Sequence, residues 1–176
     1  EAGRQVVIID ADLRRPNAHT FFGLNVSPGL NEVISGKKKF EDVVRETPVP
    51  SISLLSAGSP ADNPAALIEG KKMKDLIDRL RIDFDHILID TPPFGLTVDS
   101  ASLIKQANGV LVVARFNKTS ETEFDQTLEE LDSINANIIG TVLTAFDHSK
   151  SSDNYYGSKY GSYSTKKYSG YYKRDK

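Results

Sequence analysis

Runs of consecutive apolar residues alternate along this chain with stretches in which apolar positions recur every three or four residues. Val6-Val7-Ile8-Ile9 is the first run, and four such residues in a row read as a strand buried on both faces. Ile87-Leu88-Ile89 and Val110-Leu111-Val112-Val113 read the same way, and the segment from Ile138 to Thr144 reads as the last strand. Residues 51–56 alternate polar and apolar positions and predict one more strand, broken at Ala57-Gly58-Ser59-Pro60. Helical patterns fill the intervals. Residues 17–22 and 29–34 predict short turns of helix closed by Gly23 and Gly36, and Phe40, Val43 and Val44 predict one helix face over 40–45. The longest pattern opens at Asn63-Pro64, where proline suits a first helical turn. It runs to about Asp83, with Leu67, Ile68, Met73, Leu76, Ile77 and Leu80 mostly on one side. Residues 99–107 predict a helix, and Thr119 or Ser120 caps another reaching about Ile134. Glu123 is placed for a capping box if Ser120 is the cap. Strands alternating with helices, several of them apolar throughout, indicate an α/β fold with a mostly parallel sheet and helices on both faces.

Composition changes this picture at the two ends. The length of 176 residues suits one domain with a buried core. From Ser151 onward there is no Leu, Ile, Val, Met or Phe, so this segment is expected to be disordered. It holds all seven tyrosines of the chain: Tyr155, Tyr156, Tyr160, Tyr163, Tyr168, Tyr171 and Tyr172. The net charge of −2 conceals +4 in residues 151–176 against −6 in the rest. An acidic body argues against nucleic-acid binding, while the basic tail could touch phosphates or anionic lipid. There is no cysteine, which excludes disulfides and thiolate metal sites, and no apolar run approaches the ~20 residues of a membrane span. The chain begins without Met, and Gly3 reads as the stop after an upstream helix. It is therefore read as a fragment whose fold is incomplete at the N-terminus.

Candidate chemistry follows the first strand, in Asp10-Ala11-Asp12-Leu13-Arg14-Arg15-Pro16. A sheet interior cannot hold so much charge unpaired, so Asp10 and Asp12 lie at or beyond the carboxyl end of the strand. Ligands of open α/β sheets bind at that edge. One acid after one strand would be read as a solvated turn; two acids beside Arg-Arg-Pro point to a site. Ile87-Leu88-Ile89 likewise ends in Asp90, followed by Thr91-Pro92-Pro93, the form of a Walker B element whose acid holds Mg²⁺ beside nucleotide phosphates. Three carboxylates at the ends of two parallel strands could converge on one cation. Alternatively Asp90 caps the next turn or pairs with Arg14 or Arg15. Lys37-Lys38-Lys39 is read as a solvated loop in preference to a phosphate site.

Together these motifs resemble the bacterial tyrosine kinases that control capsule and exopolysaccharide assembly. Residues 7–14 resemble the family's second Walker motif, and residues 86–93 its Walker B stretch. Ser56-Ala57-Gly58 followed by Asn63-Pro64-Ala65, and Val113-Ala114-Arg115 leading to Lys118-Thr119, resemble further family signatures. The tyrosine-rich tail is similar to the family's autophosphorylation cluster. The resemblance implies a P-loop NTPase-like sheet shared with partitioning ATPases, and an ATP-dependent kinase without the His-Arg-Asp and Asp-Phe-Gly signatures of the other kinase type.

By that resemblance Asp10, Asp12 and Asp90 surround Mg²⁺, with Asp12 also the suggested base for the tyrosine hydroxyl. A carboxylate of pKa about 4 is a poor base for a phenol of pKa about 10. A loose phosphoryl-transfer transition state, however, needs little early proton abstraction. Arg14 or Arg15 would stabilise phosphoryl charge, or would pair with Asp99 or Glu32. Arg115 and Thr144 fall on the ATP side, Thr144 standing where relatives commonly carry Asn near the adenine. Implied partners are further copies of the chain that phosphorylate one another, a membrane activator or polysaccharide co-polymerase, and a tyrosine phosphatase. The expected location is the cytoplasmic face of the plasma membrane, reached through that partner.

The domain division expected is 1–148 for the kinase part and 149–176 for the tail. Residues 1–176 contain no Gly-x-x-x-x-Gly-Lys-Ser/Thr loop, which the family places upstream. The chain alone is therefore expected neither to bind ATP tightly nor to phosphorylate itself. Two other readings compete. A partitioning or division-site ATPase shares both strand motifs but transfers phosphate to water, and its usual amphipathic tail is not matched here. A non-catalytic interaction module is the third.

Overall fold

The computed structural model describes residues 3–94 and 99–146. The seven tail tyrosines, and the expected boundary at residue 149, lie outside the described residues. Strand β1 (Val6–Asp10) pairs in parallel with β3 (Ile52–Leu55) on one edge and with β4 (His86–Asp90) on the other. A two-residue strand β2 (Arg45–Glu46) adds to β3 antiparallel, giving the order β2-β3-β1-β4. Strands β5 (Val110–Arg115) and β6 (Ile138–Thr144) pair in parallel as a second sheet.

Helices α1 (Ala18–Phe21), α2 (Leu30–Ile34), α3 (Pro64–Glu69), α4 (Lys71–Asp83), α5 (Asp99–Ile104) and α6 (Glu121–Ser133) connect the strands. This is the mostly parallel, helix-linked α/β arrangement that the alternating pattern implies. Side chains of a strand alternate between faces, so Val7 and Ile9 point the same way as their register partners Ile87 and Ile89. That face packs with Ile68 of α3, Met73, Leu76, Ile77 and Leu80 of α4, and Leu103 of α5 into one apolar cluster.

The structure departs from the sequence pattern in three places. The single helix expected from Asn63 to about Asp83 is two helices, because Gly70 adopts an extended conformation between them. A Cβ at Gly70 would press to 3.2 Å on the carbonyl oxygens of Ala66 and Leu67, so the break suits a residue without one. Asn63 caps α3 by accepting from the Ala66 N–H at 3.2 Å. Residues 40–45 form only a 3₁₀ turn, Phe40–Asp42, before Arg45 joins the sheet. Phe40 and Val43 still reach the core, so the apolar spacing marked burial correctly without a full helix.

The third departure is burial itself. Leu88, Leu111 and Val113 were expected inside strands covered on both faces, yet they are 55%, 53% and 60% exposed. Among the described residues, β4 is paired only with β1 and β5 only with β6, so each has one unpaired edge. Leu88 projects from the face opposite Ile87 and Ile89, where its register partner Ile8 in the doubly paired β1 is also only half-buried, so an uncovered face exposes it. The capping box of α6 forms as its spacing implies: Ser120 Oγ accepts from the Glu123 N–H at 3.2 Å, and the Glu123 carboxylate accepts from the Ser120 N–H at 2.9 Å.

Burial predicts how substitutions divide. Leu80→Ala, in the core of α4, is expected to cost about 2–5 kcal/mol, whereas Leu88→Ala on the open side of β4 should cost under about 1 kcal/mol. Urea denaturation midpoints at constant slope measure both, and equal losses would contradict this division of the core.

Candidate active-site edge

The carboxyl ends of β1 and β4 lie side by side because the ladder runs to its last rung, Asp10 opposite Asp90. The chain stays in contact one step beyond, where the Ala11 N–H donates to the Asp90 carbonyl at 2.8 Å. Asp10 is fully buried. Its Oδ1 accepts from the Asp12 N–H at 3.2 Å and its Oδ2 from the Ala18 N–H at 3.1 Å. The carboxylate thereby folds residues 11–18 back over the strand end and docks the start of α1. Asp12, half-buried, accepts from the N–H groups of Arg14 at 3.1 Å and Arg15 at 2.9 Å. This is a local turn of the kind Asp side chains favour, and it leaves the two arginines on the surface.

The electrostatics of this edge are those of crowded acids. Burial pushes the Asp10 carboxyl above the usual range, against the pull of amide hydrogen bonds from Ala18, Asp12 and Asn17. Asp90 is raised as well, first by loss of hydration among the strand ends and then by repulsion from Asp10 and Asp12. The three carboxylates named from the sequence are therefore neighbours that feel one another. Among the described residues no three acidic or histidine side chains form a ready-made metal cage. The donor set is nonetheless of the right chemistry for Mg²⁺, which takes one or two carboxylates and completes its shell with water and phosphate oxygens.

Arg115 and Thr144 form a separate pair, opposite each other at the carboxyl ends of β5 and β6. The Arg115 N–H donates to Thr119 Oγ1 at 3.0 Å, and Thr144 Oγ1 donates to the Ala114 carbonyl at 3.1 Å. Phe116 and Phe146 meet edge to face with centroids 5.0 Å apart. Arg115, Phe116, Thr119, Phe124 and Leu143 line an open cleft of about 500 Å³ at this end of the sheet. One further carboxylate, Glu32, was not legible as a structural group in the sequence. Glu32 is expected from the sequence only as an ion-pair partner for Arg14 or Arg15, but its carboxylate is taken by Gly29 and Ser59. The available signal was its spacing, three residues after Gly29 at a helix start.

No family model matches the chain. Over 160 residues it is 32% identical to the tyrosine-protein kinase YwqD of Bacillus subtilis strain 168, covering 90% of this chain and 68% of that protein. The chain belongs to the bacterial tyrosine-protein kinases. It is also 38% identical over 150 residues to the tyrosine-protein kinase ptk of Acinetobacter johnsonii, covering 85% of this chain but 20% of that protein. It thus spans about a fifth of the length of such longer relatives. Among solved structures, the kinase domain of the Escherichia coli tyrosine kinase ETK matches with a TM-score of 0.75 and 28% identity, over 80% of this chain and 55% of that one. The septum site-determining protein MinD of Pyrococcus horikoshii, complexed with Mg-ADP, matches with a TM-score of 0.65 and 25% identity, over 80% of this chain and 58% of that one. The chain accordingly has the P-loop NTPase-like α/β fold that the motifs implied.

A stability consequence follows from the crowded acids. A carboxyl whose folded pKa lies above its unfolded value contributes stability at low pH and loses it as pH rises, so ionised Asp90 destabilises the chain at pH 7. Asp90→Asn is expected to raise the melting temperature at pH 7 in the presence of a chelator, and the gain should shrink as the pH is lowered into the carboxylate range. Scanning calorimetry reads both; a lowered melting temperature would show that the acids are compensated.

Proposed function

We propose that this chain supplies the metal and acceptor side of an ATP-dependent protein-tyrosine kinase that phosphorylates the tyrosine cluster of its own tail. Through that modification it would regulate capsule or exopolysaccharide synthesis and export. The observation that supports the reading is the register of Asp10 against Asp90, with the Asp12 charge close enough to help raise the Asp90 carboxyl.

In this proposal Asp10, Asp12 and Asp90 surround Mg²⁺, and the buried Asp10 also shapes the loop through its amide hydrogen bonds. Bound there, Mg²⁺ would neutralise charge on the ATP phosphates. Asp12 also orients the incoming tyrosine hydroxyl, a role that needs placement more than basicity in a loose transition state. Arg14 lies within the same turn, at hand for negative charge on the transferring group. Arg115 and Thr144, with the cleft beside them, take the nucleotide side.

Residues 1–148 form the kinase part and 149–176 the acceptor tail. The tail's tyrosines are Tyr155, Tyr156, Tyr160, Tyr163, Tyr168, Tyr171 and Tyr172. Each phosphate adds about −1.5 to −2 charges, so a few events would reverse the tail's +4. Partners are a second copy of the chain, a membrane co-polymerase and a tyrosine phosphatase. Attachment to the cytoplasmic face is assigned to the co-polymerase; no described helix is long and apolar enough to cross a membrane. The likeness to MinD favours one second reading, a division-site type of ATPase that transfers phosphate to water.

The two readings separate in the complete kinase. Changing all seven tail tyrosines to Phe is expected to abolish phosphotyrosine. Asp12→Asn should slow its formation by about 10²-fold or more with the tail intact. Mass spectrometry and anti-phosphotyrosine blots measure both. Phosphate release from ATP with no phosphotyrosine on the wild-type tail would favour the ATPase.

A further inference from the structure

The geometry assigns Glu32 as a positioning residue, whose carboxylate pins the 56–60 loop beside the Asp12-bearing segment. The functional part of this inference rests on the kinase reading above. Strands β3 and β1 are direct neighbours, with Leu55 opposite Ile9, so the residues that follow each strand leave the sheet side by side. Helix α2 sits against the first of these exits. The Leu30 N–H donates to the Ser56 carbonyl at 2.7 Å, and the Asn31 N–H to the Ala57 carbonyl at 2.9 Å. Asn31 Nδ2 donates to the Ser59 carbonyl at 3.0 Å. On the far side of the loop the Gly58 N–H donates to the Val26 carbonyl at 2.9 Å, and Ser56 Oγ donates to the Asn25 carbonyl at 3.1 Å.

Glu32 closes this arrangement from inside. One carboxylate oxygen accepts from the Gly29 N–H at 2.7 Å. The other accepts from the Ser59 N–H at 3.1 Å and from the Ser59 hydroxyl at 2.5 Å. Three donors converge on two oxygens, a demand met only by a group that accepts and never donates. A glutamine would aim its NH₂ at another donor, and an aspartate is one methylene too short to span both partners. The residue is 9% exposed, so water cannot substitute for a lost partner.

The backbone is built to the same end. Gly58 has φ +95°, and a Cβ there would strike the Glu32 carboxylate; a Cβ on Gly29 would strike the Ser56 carbonyl. Burial alone would raise the Glu32 carboxyl, but the Ser59 hydroxyl and the Gly29 and Ser59 amides outweigh it and hold the group below its usual range. The latch is therefore closed at neutral pH, and its contribution is lost as pH falls through that depressed value.

Hydrogen exchange on the whole chain tests the positioning role. Glu32→Gln is expected to speed exchange at the Gly29, Gly58 and Ser59 amides at least tenfold, while Val7, Ile8 and Ile9 in β1 keep their wild-type rates. Uniform acceleration, or none, would overturn the inference. If Glu32→Gln does not fold, Ser59→Ala serves the same comparison, with a smaller acceleration confined to the same amides. In the complete kinase, Glu32→Gln is expected to raise KM for the tyrosine acceptor threefold or more, leaving kcat and KM for ATP unchanged. A fall in kcat with both KM values unchanged would also overturn it. Should the wild-type protein phosphorylate no tyrosine, the kinase reading fails while hydrogen exchange still decides what Glu32 does.

Discussion

Strand β1 is hydrogen-bonded on both edges, to β3 and to β4, and the position of every proposed acceptor-side residue follows from that. Its inward side chains, Val7 and Ile9, are completely buried and tie the strand to α3 and α4. Each fully buried side chain of this size contributes about 1.5–3 kcal/mol through apolar burial. Register has no freedom here, because a one-residue slip would exchange the core-facing and opposite faces of the strand. With register fixed, Asp10 and Asp90 must end the two strands at the same level.

Buried carboxylates serve this fold in two opposite ways. Glu32 is saturated by donors and holds its surroundings together in the ionised form. Asp10 also receives amide donors, yet burial outweighs them and its carboxyl is pushed up. Asp90 is raised with it, and the two acids share their edge with Asp12. Charge concentrated where it opposes stability is a common property of reactive sites. A divalent cation at that edge would offset the repulsion. Its binding would then be linked to the stability of the surrounding loops.

Much of this organisation was legible in the chain itself. The apolar runs located β1, β4, β5 and β6 correctly, and the acids after β1 and β4 marked two strand ends that the structure sets side by side. Exposure of Leu88, Leu111 and Val113 was not legible, because an apolar run reports which residues prefer burial and not which neighbours cover them. The interruption at Gly70 was masked by helical spacing on both sides of it, which a single extended residue does not disturb. Glu32 escaped notice for a related reason. Its main partner, Ser59, is distant in sequence, and only the fold brings α2 against the loop after β3. Arg115 and Thr144 were placed together by their strands, but nothing local in the sequence reveals the cleft beside them.

On the proposed reading, Asp90 binds Mg²⁺ together with nucleotide phosphates at the end of β4. Calorimetric titration of the full-length protein with ADP, with and without Mg²⁺, in wild type and Asp90→Asn, tests this. Mg²⁺ is expected to tighten ADP binding in the wild type, and Asp90→Asn to erase that increment while leaving the Mg²⁺-free affinity unchanged. An undiminished Mg²⁺ increment in the variant would contradict the assignment of this edge as the metal side of the site.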